Sequence, residues 1–284
     1  MPVRLSMLRP IACLLGLLVA GAAPAKDDPA TLLLATTTSV QDSGLLDALL
    51  PDFTRETGIR VRSVAVGTGA ALRMGREGNV DVLLTHAPEA ERALLTDGAL
   101  DRRVEIMENH FVLAGPPEDP AEVAGLASIG TALRRLDERR APFVSRGDDS
   151  GTHKREVALL RAAGLDPAGG RPGWTRTGSG MGLSLQIAGQ KRAYILSDIG
   201  TYLAFAERSE LAVLSRPEAA LRNVYSVLRV SPERFPDVHR TQADALLAWL
   251  VGPAVRRQIG AFGVERYGRA LFQPLAVGHD TTTP

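Results

Sequence analysis

Short apolar runs alternate with apolar positions at helical spacing along most of the chain. Leu32-Leu33-Leu34 reads as a buried strand, and Leu45, Leu46, Leu49, Leu50 and Phe53 then recur as on one face of a helix that Gly58 ends. Ile59–Val66 alternates like a strand and runs into GTGAALRMGREG, a glycine-flanked turn opening a second helix. Val80–His86 predicts a third strand and PEAERALLTDG a third helix. In NHFVLAGPPEDPAEV a strand ends at Gly115-Pro116-Pro117, which predicts a crossover into a second lobe. The alternation then resumes. Ala141–Arg146 is a strand, GDDSGT a loop, HKREVALLRAAG a helix closed by Gly164, and 166–180 a polar, glycine-rich loop. A helix over Gly182–Gln190, a strand over Ala193–Asp198, a helix from IGTYLAFAE and a returning strand over Asn223–Pro232 follow. RTQADALLAWLVGPAVRRQIGAFG is helical with a break at Pro253, and the tail GHDTTTP is expected to lack structure. Strands alternating with helices in this way predict α/β architecture with mainly parallel sheets.

The strand-to-helix corners share a composition. TTTS (Thr36–Ser39), VGTG (Val66–Gly69), RGDDSGT (Arg146–Thr152) and GSGMG (Gly178–Gly182) are rich in Ser, Thr or Gly, and each precedes a helix. A helix start exposes four backbone N–H groups and a partial positive charge, which suits an anion, and ligands of open α/β sheets bind beyond the carboxyl ends of the strands. Capping alone accounts for any single corner, since these are also ordinary cap residues. The four hydroxyls of the first corner exceed what one cap needs. Arg146 ends a strand and offers a fork of donors to an oxyanion, or an ion pair to Asp148 or Asp149; the two roles are compatible. Asp198 reads as a cap or an interlobe contact, because a carboxylate repels a dianion.

Other chemistries find little support. GTGAAL lacks the lysine of a P-loop, and GSGMG lacks the register of a nucleophile elbow. His153 reads as a helix-start residue supporting its loop, and His86, His110, His239 and His279 lack metal-ligand spacing, so neither a metal cation nor a cofactor is expected.

The first 25 residues read as a secretory signal peptide: Arg4 and Arg9, an apolar run from Ile11 to Ala23, and a small-residue cleavage site near Ala25. That run is too short to span a bilayer, which takes about 20 residues, and Cys13 stands at its start, where a lipobox cysteine would end it. Cleavage takes the charge balance from 33 − 32 = +1 to 31 − 32 = −1, with no electrostatic footprint for nucleic acid or an anionic membrane. It also removes the only cysteine, and with it any disulfide or thiol chemistry. Aromatics at 5% argue against a sugar-stacking groove.

Five of these segments in order, LLLATTTSVQDSGLLDALLPDF, VAVGTGAAL, GNVDVLLTHAPEAE, FVSRGDDSGTHKRE and MGLSLQIAGQKRAYILSDIGTYLAF, resemble the tungstate-binding periplasmic proteins of ABC transporters, over about Thr31 to Phe272. The resemblance implies a two-lobed type II periplasmic-binding-protein fold, each lobe a mainly parallel sheet flanked by helices, joined by two crossover strands. Lobe one would comprise 27–112 and 226–284, and lobe two 113–225. By motif, the resemblance implies oxyanion contacts from Thr38, Ser39, Thr68 and Gly69 on one lobe, and from Arg146, Ser150, Gly151 and Thr152 on the other. Thr37, Ser179 and Gly180 are further candidates. It implies a monomeric, non-enzymatic periplasmic receptor delivering tungstate to an ABC permease. Molybdate or another tetrahedral oxyanion remains an alternative ligand. An exported hydrolase with Ser39 or Ser150 as nucleophile, or a sensory module reporting to a membrane kinase, remains an alternative class.

Overall fold

The computed structural model describes residues 31–276 and 280–282. The basic start, the apolar run, Cys13, the cleavage site near Ala25 and His279 lie outside the described residues. Among the described residues no helix is long and apolar enough to cross a membrane.

The first lobe opens with β1 (Leu32–Thr37), α1 (Thr38–Ser43), α2 (Leu45–Thr57), β2 (Val61–Val66), α3 (Thr68–Arg76), β3 (Val82–Thr85) and α4 (Pro88–Thr96). The chain leaves it on β4 (Leu100–Gly115), one strand of 16 residues. The second lobe holds α5 (Ile129–Glu138), β5 (Phe143–Ser145), α6 (Gly151–Ala162), β6 (Trp174–Arg176), α7 (Met181–Gln190), β7 (Tyr194–Asp198), α8 (Ile199–Ser209) and β8 (Ala212–Val213). The return runs on β9 (Arg222–Val230), followed by α9 (Arg240–Leu250), α10 (Pro253–Ala261), α11 (Val264–Tyr267), β10 (Gln273–Pro274) and β11 (Asp280–Thr282). Strand order is β2-β1-β3-β9-β4-β7-β5-β6. β1, β2 and β3 are mutually parallel, as are β5, β6 and β7. β9 runs antiparallel to both β3 and β4.

Both lobes are three-layered, because their strands send alternate residues to opposite faces. Leu32 and Leu34 join the core under α2, α9 and α10, while Ala35 joins the core under α3 and α4. In the far half of β4, Phe111 and Leu113 pack on α5 and α6, whereas Val112 and Ala114 pack on α7 and α8. A strand covered on both faces reads as a continuous apolar run, and these runs were legible for that reason.

Three differences from the sequence-based expectations have simple causes. Gly44, in the left-handed region (φ 77°), splits the expected single helix into α1 and α2. The loop expected over 166–180 contains the edge strand β6, whose three residues are too few for a period to register. The tail, expected to lack structure, lays Asp280–Thr282 antiparallel along Arg102–Val104 of β4. Apart from β10 at Met107 and Glu108, that flank of β4 is an open edge, which accepts a polar strand as readily as an apolar one.

Candidate functional site

The first corner divides its hydroxyls between two tasks. Thr36 Oγ1 donates to the Leu84 carbonyl at 3.0 Å, tying β1 to β3, and Thr37 Oγ1 accepts the Val40 N–H at 3.4 Å as the cap of α1. Thr38 and Ser39 are then the first two residues of α1, Ser39 buried and Thr38 half-buried. At the second corner Gly67 precedes α3 without a side-chain cap, and Thr68 is its first residue. Thr68 is fully buried, and its Oγ1 has no hydrogen-bond partner.

In the second lobe Arg146 follows β5 and is 2% exposed. Its Nη2 meets Asp148 Oδ2 at 2.5 Å and its Nε donates to the Ser179 carbonyl at 3.3 Å. Asp148 Oδ1 also accepts the Ser150 N–H at 3.2 Å, so one carboxylate shapes the loop and holds the arginine. Ser150 caps α6 by accepting the His153 N–H at 3.2 Å, and His153 Nδ1 accepts the Asp149 N–H at 3.1 Å. Gly151 and Thr152 open α6, and Thr152 repeats the situation of Thr68: fully buried, with an unpartnered Oγ1. Gly180 opens α7 without a side-chain cap, and Asp198 caps α8, taking the Thr201 N–H on Oδ1 at 2.9 Å and the Thr201 hydroxyl on Oδ2 at 2.7 Å.

These corners meet across the interlobe cleft. A Cβ at Gly69 would collide with the Asp149 carboxylate, and one at Gly67 would lie 3.8 Å from the Asp148 carbonyl, so the start of α3 abuts the loop before α6. A Cβ at Gly151 would overlap the His86 ring, 2.7 Å from Nε2, so the start of α6 abuts the corner after β3. Asp42, one turn along α1 from Thr38, has its pKa raised by burial and by Asp198, while Arg146 pulls it down. The start of α1 therefore shares its electrostatic environment with Arg146 and Asp198. Among the described residues no histidine side chain hydrogen-bonds Ser39 or Ser150, and no cluster of His, Cys, Asp and Glu has the makings of a metal site.

The chain has relatives of similar sequence and fold. A family profile described as a PBP superfamily domain matches residues 20–254. The tungstate-binding protein TupA of Peptoclostridium acidaminophilum is 41% identical over 248 residues, covering 87% of this chain and 86% of that one. The chain belongs to the TupA family of the PBP superfamily. Two solved structures agree. The tungstate-binding TupA from Desulfovibrio alaskensis G20 superposes with a TM-score of 0.74 at 40% identity, covering 87% of this chain and 99% of that one. The tungstate ABC transporter protein from Geobacter sulfurreducens does so with 0.72 at 41%, covering 79% and 95%.

Two buried titratable residues escaped the reading of the sequence, His86 at the cleft of this TupA-family protein and Glu156 beneath the loop that carries Arg146. His86 was judged by metal-ligand spacing; the signal that would have found it is its place directly after a strand and before a helix, like the other corners. Glu156, buried on α6, has its carboxyl pushed up to about 7, first by burial, while bonds from Ser145 and the Arg146 backbone oppose the shift. In the unfolded chain it titrates near 4.5. Between those two pH values the folded protein keeps a proton that the unfolded chain has lost, so stability falls as pH rises through this window. Glu156→Gln is expected to stabilise the protein at pH 8 relative to pH 4.5, by on the order of 2–3 kcal/mol. Thermal melts of both proteins at the two pH values check this; an equal effect at both would mean that the carboxyl is already charged in the fold.

Proposed function

We propose that the chain is an exported, non-enzymatic receptor that captures tungstate between its lobes and hands it to an ABC permease. In this reading the lobes, 27–112 with 226–284 and 113–225, close on one tetrahedral dianion. Thr38, Ser39, Thr68 and Gly69 serve it from the first lobe, and Arg146, Ser150, Gly151 and Thr152 from the second. Thr37, Ser179 and Gly180 complete the rim.

One observation carries the reading: Thr68 Oγ1 and Thr152 Oγ1 are buried without partners at two helix starts that face each other through the Gly69–Asp149 contact. Leaving a buried hydroxyl unpaired costs about 1–3 kcal/mol, and an acceptor-rich ligand removes that cost twice. The cradle also disfavours a protonated anion. The nearby Asp198 already accepts on both oxygens, as does Asp148. Hydrogen phosphate would bring a proton that a site hydroxyl or carboxylate must accept, at the expense of a donor to the anion, whereas tungstate brings none. Sulfate has no proton either, but lobes that close on a larger tetrahedron would hold its smaller one poorly.

Ligand binding to the folded state alone raises its stability by about 4 kcal/mol at a thousandfold excess over Kd. In a chain of this size that corresponds to a rise in melting temperature of roughly 8 °C or more. Competition calorimetry with tungstate, molybdate, sulfate and phosphate tests both class and selectivity. Tungstate is expected to bind far more tightly than sulfate or phosphate. Absence of both heat and a melting shift with all four would overturn the receptor reading, and a strong preference for molybdate would reassign the ligand.

A further inference from the structure

His86 carries a further buried, unpartnered polar atom at this cleft. Its residue is 5% exposed, its Nε2 is shut off from solvent, and no protein group bonds that nitrogen. The ring occupies a fixed place. Glu91 accepts the Thr85 hydroxyl at 2.7 Å and the Ala87 N–H at 2.8 Å, pinning the residues on either side of it, and is itself held by Arg103 at 2.9 Å. Tyr225 packs against the ring, tilted by 31°, at 4.8 Å between centroids. The ring presents its Nδ1–Cε1–Nε2 edge to Gly151: a Cβ there would lie 2.8 Å from Nδ1 and 2.7 Å from Nε2. Nδ1 meets Asn223 Oδ1 at 2.8 Å on one side, which turns Nε2 to the other. The ring also walls an interlobe cavity of about 590 Å³, but a solvent-shielded Nε2 does not face that open space.

From this placement we propose that His86 is a further oxyanion-binding residue, donating Nε2–H to the anion held at the start of α6. The proposal rests on the receptor reading above and adds a side chain to it. A fully ionised tetrahedral anion can only accept, so the ring must present a hydrogen on Nε2, and Nδ1 must then accept in the neutral ring. The chain behind it permits that arrangement. Asn223 Nδ2 meets Asn109 Oδ1 at 2.8 Å and the Tyr225 hydroxyl at 2.9 Å. Turning over both amides reverses the donors and keeps the chain intact: Asn109 donates to Asn223, and Asn223 to His86 Nδ1. Amide orientation and imidazole tautomer are set together by such a network. Burial, aided by the Arg146 charge, lowers the ring's pKa to about 4, so at neutral pH it is this neutral tautomer that donates.

The test pairs calorimetry with long-range proton–nitrogen NMR of the His86 ring, on the full mature chain with tungstate as probe. His86→Ala is expected to weaken tungstate binding at least tenfold, and His86→Gln, whose amide carries a donor to about the same place, to regain part of that loss. In the wild-type complex Nε2 is expected to carry hydrogen. An Nε2 without hydrogen in the tungstate complex would overturn the proposal, as would unchanged affinity in His86→Ala. The NMR arm uses wild-type protein and so survives a variant that fails to fold. Failure of the wild-type protein to bind tungstate would count against the receptor reading itself.

Discussion

Replacing Arg146 with alanine is expected to weaken tungstate binding by at least a hundredfold while leaving the protein folded. Arg146 is the one cation the site residues contribute, and it is 2% exposed at the end of β5. Asp148 and the Ser179 carbonyl take up two of its N–H groups, and a guanidinium has five. A hydrogen bond to a charged group contributes about 1.5–3 kcal/mol, so the loss of two such bonds corresponds to roughly two to four decades in Kd. The substitution also leaves Asp148 without its cation, adding a negative charge that faces the dianion. The measurement is calorimetric titration of wild type and variant, with circular dichroism to establish that the variant is folded. A loss of less than threefold would make Arg146 a loop-shaping residue only.

Gly151→Ala is expected to cost about ten- to hundredfold in affinity, and Gly69→Ala less than threefold, although each glycine touches the opposite lobe. The difference lies in what the added methyl group meets. At Gly69 it meets the tip of Asp149, whose side chain is 62% exposed and paired with Lys154, and which can swing away. At Gly151 it meets an imidazole fixed by Asn223, Tyr225 and the pinned corner around it. Overpacking a rigid contact costs about 1–3 kcal/mol. The clash exists only when the lobes are together, so the ligand-free melting temperature of Gly151→Ala should equal or slightly exceed that of wild type. Titration of the two variants with tungstate decides it. Equal affinities for both would mean that the ring yields to the added carbon.

The elements legible in the sequence were those buried on both faces. Leu32–Leu34, Val80–His86 and Ala193–Asp198 gave continuous apolar runs, and β1, β3 and β7 lie where those runs do. The edge strand β6 and the tail strand β11 gave no such signal, because an edge needs only backbone pairing. The corners were legible as a group through their shared Ser, Thr and Gly content. The division of labour within them was less so: that Thr37 caps α1, and that Thr68 and Thr152 keep idle hydroxyls, depends on contacts made across the fold. His86 was hidden because a lone histidine has no periodicity, and its neighbours Asn223 and Tyr225 come from a strand more than a hundred residues away.

The route of the chain through β4 and β9 has a consequence for the order in which the molecule can be assembled. One core of the first lobe draws Leu32, Leu34 and Phe53 from near the beginning of the chain, and Leu246, Leu247, Ile259 and Phe272 from near its end. The α5–α6 core of the second lobe is contiguous, running from Phe111 to Leu221. A chain that emerges amino end first therefore holds a complete second lobe while the first still lacks α9 and α10. Until those last helices arrive, the core that α2 shares with β1 and β3 lacks the apolar residues that α9 and α10 bring to it. The interruption of one lobe by the other thus sets the order in which the two cores can be completed.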